Sequence, residues 1–90
     1  MTDPAEIRRK RLLFRSWHRG TREADLLLGP FADRYLGELS SAEIDRYEAL
    51  LAESDGALYD WLAGRVPPPA AHDTPLFRRL QSFRRLPRSA

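Results

Sequence analysis

Apolar side chains return every three or four residues along almost the whole chain, and no segment keeps the two-residue alternation of a strand. The pattern predicts five short α-helices. Asp3-Pro4-Ala5-Glu6 opens the first: Asp3 caps, Pro4 takes the first helical position, where its missing N–H costs nothing, and Glu6 reaches back. This helix is expected to run to about Arg19 with Ile7, Leu13, Phe14 and Trp17 as its apolar side, and Gly20 to stop it by accepting a left-handed backbone. The second begins at Gly20 or Thr21 and gathers Ala24, Leu27, Leu28, Phe31, Tyr35 and Leu36 on one face. Pro30 falls inside it and removes one backbone hydrogen bond, at a cost of about 3 kcal/mol unless the helix bends. A kink is therefore expected near Gly29-Pro30.

Ser40-Ser41-Ala42-Glu43 is a capping box, with Leu39 and Ile44 placed as its hydrophobic staple, and the third helix continues through Tyr47, Leu50 and Leu51. Either Ser54 or Asp55 caps a short fourth helix that presents Leu58, Trp61 and Leu62 and ends at Gly64. "VPPPAAHD" reads as a stiff, extended connector with His72 in solvent. Thr74-Pro75 restarts a helix whose apolar side is Leu76, Phe77, Leu80 and Phe83, with Pro87 beyond its end. The fold class that follows is all-α: a compact bundle of five short helices, one domain over residues 1–90, with a flexible tail from about residue 87.

Composition narrows what such a bundle can do. A chain of 90 residues buries only roughly 60–65% of its unfolded surface, so its core is thin and a deep enclosed pocket is not expected. The absence of cysteine removes disulfides and thiolate metal sites. No apolar run is long enough to span a bilayer, and the start of the chain lacks both the basic-then-apolar order of a secretory signal and the acid-free character of a transit peptide. The expectation is a bacterial cytoplasmic protein without membrane insertion.

The net charge of +2 conceals a segregation: +5 over residues 1–22, −8 over residues 23–73 and +5 over residues 74–90. The basic ends, "IRRKRLLFR" and "FRRLQSFRRLPR", suggest phosphate binding as one reading, a small arginine-rich nucleic-acid-binding or regulatory protein. The acidic exposed sides of the second and third helices oppose it, and no segment forms a helix-turn-helix with a basic recognition helix. Catalysis has less support. The two histidines, His18 and His72, have no nucleophile beside them and no ligand spacing between them, so no catalytic or metal-binding residue is assigned. The acids Glu43, Asp45, Glu48, Glu53 and Asp55 match no calcium-loop spacing and read as caps and a solvated face.

One corner stands apart. In "SWHRGTREADLLLGPF" a glycine lies between two helices with Arg19 on one side and Glu23 on the other. The residues alone leave two readings open: a surface ion pair beside a helix stop, contributing about 0–1 kcal/mol, or a bare backbone that another protein approaches closely, oriented by the two charges.

"HRGTREAD" followed by "LLLGPFADRYL", then "LSSAEIDRYEALLAESDGALYDWLAG", a proline and a final helix, resembles the succinate dehydrogenase assembly factor family, the small flavinylation factors marked by an RGxxE motif. The likeness runs from about Leu12 to Leu86. It departs at "SDGAL", where the family often has an acidic-proline-acidic turn. The resemblance implies a five-helix protein that binds the flavoprotein subunit of succinate dehydrogenase, in some bacteria fumarate reductase, and promotes covalent attachment of FAD to a histidine of that subunit. It implies a chaperone rather than an enzyme, a monomer with no cofactor of its own, acting on the FAD of its partner. The motif positions are Arg19, Gly20 and Glu23, with Thr21 and Arg22 in the variable places and Asp25 where bacterial members carry an acid; Arg19, Gly20, Arg22, Glu23 and Asp25 are the implied partner-binding residues.

Overall fold

The first turn of any helix leaves backbone N–H groups unbonded, and each helix here begins where a side-chain oxygen takes one of them. In the computed structural model, which describes residues 3–85, Asp3 accepts from the Ala5 amide at 3.0 Å and starts α1 (Pro4–Trp17). Thr21 accepts from Ala24 at 3.3 Å and starts α2 (Arg22–Tyr35). Ser40 and Glu43 bond reciprocally, at 3.2 and 2.9 Å, ahead of α3 (Ser41–Leu51). Ser54 accepts from Ala57 at 3.2 Å before α4 (Asp55–Leu62), which decides between the two caps the sequence left open. Thr74 accepts from Phe77 at 3.2 Å before α5 (Pro75–Arg85). The fold is all-α, with five helices, two single 3₁₀ turns at Leu36–Glu38 and Ala70–His72, and no strand among the described residues. The expected tail from residue 87, with Pro87, lies outside the described residues.

All five helices contribute to one apolar cluster. Phe31 is fully buried within it and touches the rings of Tyr35, Tyr47 and Phe83 at centroid separations of 5.2, 5.8 and 5.7 Å. Side chains of this size each contribute about 1.5–3 kcal/mol by leaving water. α1 and α2 form a hairpin that closes through the smallest side chain available. Trp17 lies so close on Gly29 that a Cβ on that glycine would overlap the indole ring. The same indole donates to Asp33 Oδ1 at 3.2 Å. α2 is continuous through Pro30.

The structure corrects the sequence reading at three places. α1 ends at Trp17 and not near Arg19, because His18 turns back to bond the Arg15 carbonyl at 3.4 Å. Its inward face is Leu12 and Ser16, with Leu13 packed at the edge; Ile7 and Phe14 face solvent, Phe14 with 64% of its surface exposed. Polar anchors set that rotation. Arg8 reaches Asp45 at 2.7 Å and Glu48 at 3.3 Å on α3, and Arg9 donates to the carbonyls of Leu36 and Leu39. The proline connector is not extended throughout: it closes a 3₁₀ turn that sets His72 beside Trp61, at 5.6 Å between rings, and 3.5 Å from a Glu53 carboxylate oxygen.

Ser16 is the one buried polar residue of the core among the described residues. Its hydroxyl lies 2.7 Å from the Leu12 carbonyl and 2.6 Å from the Tyr47 phenol. The carbonyl can only accept, so Ser16 donates to it and Tyr47 donates to Ser16. Both hydroxyls are satisfied without water. Burial of the phenol, which penalises the phenolate, pushes Tyr47 up to about 12.

Two outcomes follow from this packing. Gly29→Ala should lower stability to chemical denaturation by about 1–3 kcal/mol through overpacking against Trp17, whereas Gly37→Ala, with nothing within 4 Å of the new methyl, should change it little; equal midpoints for the two variants would refute the Trp17–Gly29 closure. Because folding raises the Tyr47 pKa from 10.0 to about 12, its stabilisation is complete below pH 10 and is lost as pH rises through about 12. Denaturation midpoints of the wild type should therefore fall across that window more steeply than those of Tyr47→Phe.

Candidate functional site

Between α1 and α2 the chain reverses within His18–Thr21. Gly20 makes this possible with φ of +111°, a conformation that a residue with a Cβ rarely adopts. Space is not the constraint there, since a methyl on Gly20 would meet its nearest atom, Asp55 Oδ2, at an ordinary 3.8 Å. The corner is pinned from within by Asp25, whose carboxylate accepts from the Arg19 amide at 2.6 Å, while the Asp25 amide bonds the Thr21 carbonyl at 3.1 Å.

Arg19 turns inward. Its guanidinium donates to Asp55 Oδ1 at 2.8 Å, to the Glu53 carbonyl at 2.6 Å and to the Leu51 carbonyl, and only 10% of the side chain is exposed. The two carbonyls belong to the end of α3 and the turn after it, where no helical N–H follows to take them. Asp55 is the first residue of α4, where the helix dipole favours an anion. One planar cation thus caps the end of α3, neutralises the start of α4 and ties both to the α1–α2 turn. Thr21 adds a hydroxyl contact to Asp55 at 3.3 Å.

The remaining motif residues face outward. Gly20, Arg22 and Glu23 are exposed, and neither Arg22 nor Glu23 forms an ion pair with a described residue. Glu23 stands at the edge of a shallow cavity of about 300 Å³ between the starts of α2 and α4. Ala24, Gly56 and Tyr59 give it an apolar lining; Glu23 and Asp60 give it an acidic rim. Its shape suits a protruding side chain from another protein better than an enclosed small molecule.

The structure therefore brings all five predicted residues, Arg19, Gly20, Arg22, Glu23 and Asp25, into one corner, and corrects the picture of Arg19 as an outward charge. Its cation is consumed by Asp55, and it forms no pair with Glu23. Sequence reasoning missed Asp55, Gly56 and Tyr59 as part of this corner. In the string Asp55 looks like a cap or a solvated acid, and a contact 36 residues away leaves no local pattern to read. The phosphate-binding reading loses ground as well, because Arg8 and Arg9 of the basic helix are engaged within the fold. His18 Nδ1 lies 2.7 Å from the Phe14 carbonyl, and no group of three or more metal-ligating side chains occurs among the described residues.

Fold and corner define a small helical protein carrying an RGxxE turn, with the arginine built into the scaffold and the glutamate presented to solvent. Residues 10–84 match the family described as the flavinator of succinate dehydrogenase, and the chain belongs to that family. It is 40% identical over 86 residues to the FAD assembly factor SdhE of Acetobacter pasteurianus, covering 96% of this chain and 79% of that protein. It is 50% identical over 56 residues to the mitochondrial succinate dehydrogenase assembly factor 2 of Scheffersomyces stipitis, covering 62% of this chain and 38% of that one. It is 36% identical over 81 residues to the mitochondrial assembly factor 2-B of Drosophila ananassae, covering 88% and 50%. The chain thus spans half or less of these two mitochondrial relatives and most of the bacterial one.

Arg19→Ala should cost about 3–5 kcal/mol, because it strands a largely buried carboxylate and two carbonyls, and Arg19→Lys should recover only part of it, since a point charge cannot fill three separated acceptors. Glu23→Ala should shift thermal stability by no more than about 0.5 kcal/mol. Denaturant titration of the three variants checks the division; a stable Arg19→Ala protein would rule out the clamp.

Proposed function

We propose that this protein is an assembly factor that binds the flavoprotein subunit of succinate dehydrogenase, and in some settings that of fumarate reductase, and promotes covalent attachment of FAD to it. The family and the roles its relatives are named for support the assembly role. The observation that carries the contact assignment is the split within the motif: Arg19 is spent on the scaffold, while Glu23 and Arg22 stand exposed without an ion-pair partner among the described residues. Charges left solvated on a rigid corner retain their full capacity to pair with a partner and to steer its approach.

The protein acts by binding and not by chemistry. Joining FAD to a histidine requires the flavin ring and the imidazole in near-attack geometry, and a well-placed pair gains several kcal/mol from orientation alone. A partner that fluctuates between open and reaction-ready arrangements is shifted toward the second by any protein that binds it better. Here Glu23 and Arg22 meet opposite charges on the immature subunit, Gly20 admits close backbone approach, and the cavity beside Tyr59 receives one partner side chain. FAD stays with the partner throughout.

The test is complementation of a strain deleted for this gene, with covalent flavin on the flavoprotein subunit read by in-gel fluorescence. Glu23→Ala should restore less than about a tenth of the wild-type signal, as loss of a central charged contact of about 1.5–3 kcal/mol implies, with an unchanged melting temperature. Full flavinylation by a stably folded Glu23→Ala protein would refute the corner as the contact.

A further inference from the structure

The outer side of α1 has a surface that the corner does not explain. Ile7, Arg11, Phe14 and His18 follow one another at steps of four, three and four, which places them along one stripe. That stripe points away from Leu12 and Ser16, the residues α1 buries. Phe14 is the most exposed large apolar side chain among the described residues. A second ring lies against it. The His18 ring stacks on it at 4.0 Å with 17° between planes, and His18 Nδ1 bonds the Phe14 carbonyl at 2.7 Å. A carbonyl only accepts, so Nδ1 donates to it.

An aromatic ledge in water forgoes burial that a partner could supply. Its surroundings state the partner's charge. Arg11 lies within the stripe and Arg15 beside it, and neither forms an ion pair with a described residue, whereas Arg8 and Arg9 on the inward side are both engaged. The ledge also adjoins the corner, because His18 is the residue before Arg19.

We propose that the Phe14–His18 ledge is a second docking surface for the same flavoprotein subunit, receiving an acidic segment that carries an apolar side chain. The apolar side chain covers Phe14, and carboxylates pair with Arg11 and Arg15. This rests on the reading of the corner as the first contact. His18 of the ledge is followed directly by Arg19 of the corner, so the two surfaces are neighbours along the chain.

The experiment measures affinity of the full chain for the purified flavoprotein subunit by calorimetry, for wild type, Phe14→Asp, Arg11→Glu and Glu23→Ala, with melting temperatures in parallel. Phe14→Asp should weaken binding by about tenfold or more, as expected for an aromatic anchor, and Arg11→Glu by several-fold, less so at high salt. Hydroxyl-radical footprinting of the unmodified complex supplies a readout independent of any variant's folding, and Phe14 and His18 should be protected. If Glu23→Ala weakens binding while Phe14→Asp does not and Phe14 stays reactive in the complex, the ledge is overturned and the corner stands. If neither variant weakens binding, the corner fails and the ledge with it. If Phe14→Asp leaves the complex intact but abolishes co-sedimentation with vesicles of phosphatidylglycerol, the ledge faces lipid and the proposal is wrong.

Discussion

The structure depends on one guanidinium in the right place. Arg19 has lost most of its water, and a charge so placed is destabilising unless its guanidinium nitrogens find acceptors. Here they find a carboxylate and two carbonyls, drawn from the end of one helix and the start of the next. At an effective dielectric near 20 an ion pair at about 4 Å is attracted by about 4 kcal/mol, and desolvation offsets much of that. The net gain in stability is therefore smaller than the number of contacts suggests. What the clamp secures is geometry: the α1–α2 turn cannot shift relative to the α3–α4 turn without breaking three bonds to one rigid fork.

That constraint explains why an arginine and a glutamate four residues apart behave so differently. The helix that follows Arg19 is capped by Thr21, so Glu23 falls in its first turn, where the dipole favours an exposed anion by only about 0.3 kcal/mol and where the side chain projects outward. Gly20 supplies the reversal between them. The motif is short because a single tight turn can both anchor one residue and display another, and nothing in the string says which residue does which. Only the contacts to Leu51, Glu53 and Asp55 decide it.

Local chemistry was readable wherever the signal lies within a few residues. Asp3-Pro4, Ser40 with Glu43, and Thr74-Pro75 all start helices in the structure as their spacing predicts, because a cap needs only its own backbone. The helix periods of α2 through α5 named most of their buried side chains, but they passed over Ala32, which is buried, and counted Tyr35 and Phe83, which pack only at the edge of the core. α1 failed the same treatment. Its apolar residues fit two faces, and the choice was made by Arg8 and Arg9 reaching across to α3 and the turn after α2, a long-range contact that hydrophobic periodicity does not register. Ser16 was overlooked because a serine in a charged run looks solvated until Tyr47 is seen to need it. His72 misled in the opposite direction, for a histidine after three prolines has no sequence cue that Trp61 and Glu53 will close over it.

On the proposed reading, the economy of this bundle suits a helper that must also leave. A corner built from two exposed charges, a glycine and one shallow cavity buries little area, and even with the ledge on α1 added the contact uses only a few side chains of a small bundle; small interfaces are typically transient. Tighter binding would hold the flavoprotein after its flavin is joined. The scaffold's rigidity compensates, since a surface that is already ordered loses little entropy on docking and can discriminate between partner conformations with few contacts. The same economy explains why Arg19 is turned inward: a charge that fixes the shape of the corner favours one partner geometry over its alternatives, whereas another free charge at the surface would strengthen attraction to all of them alike.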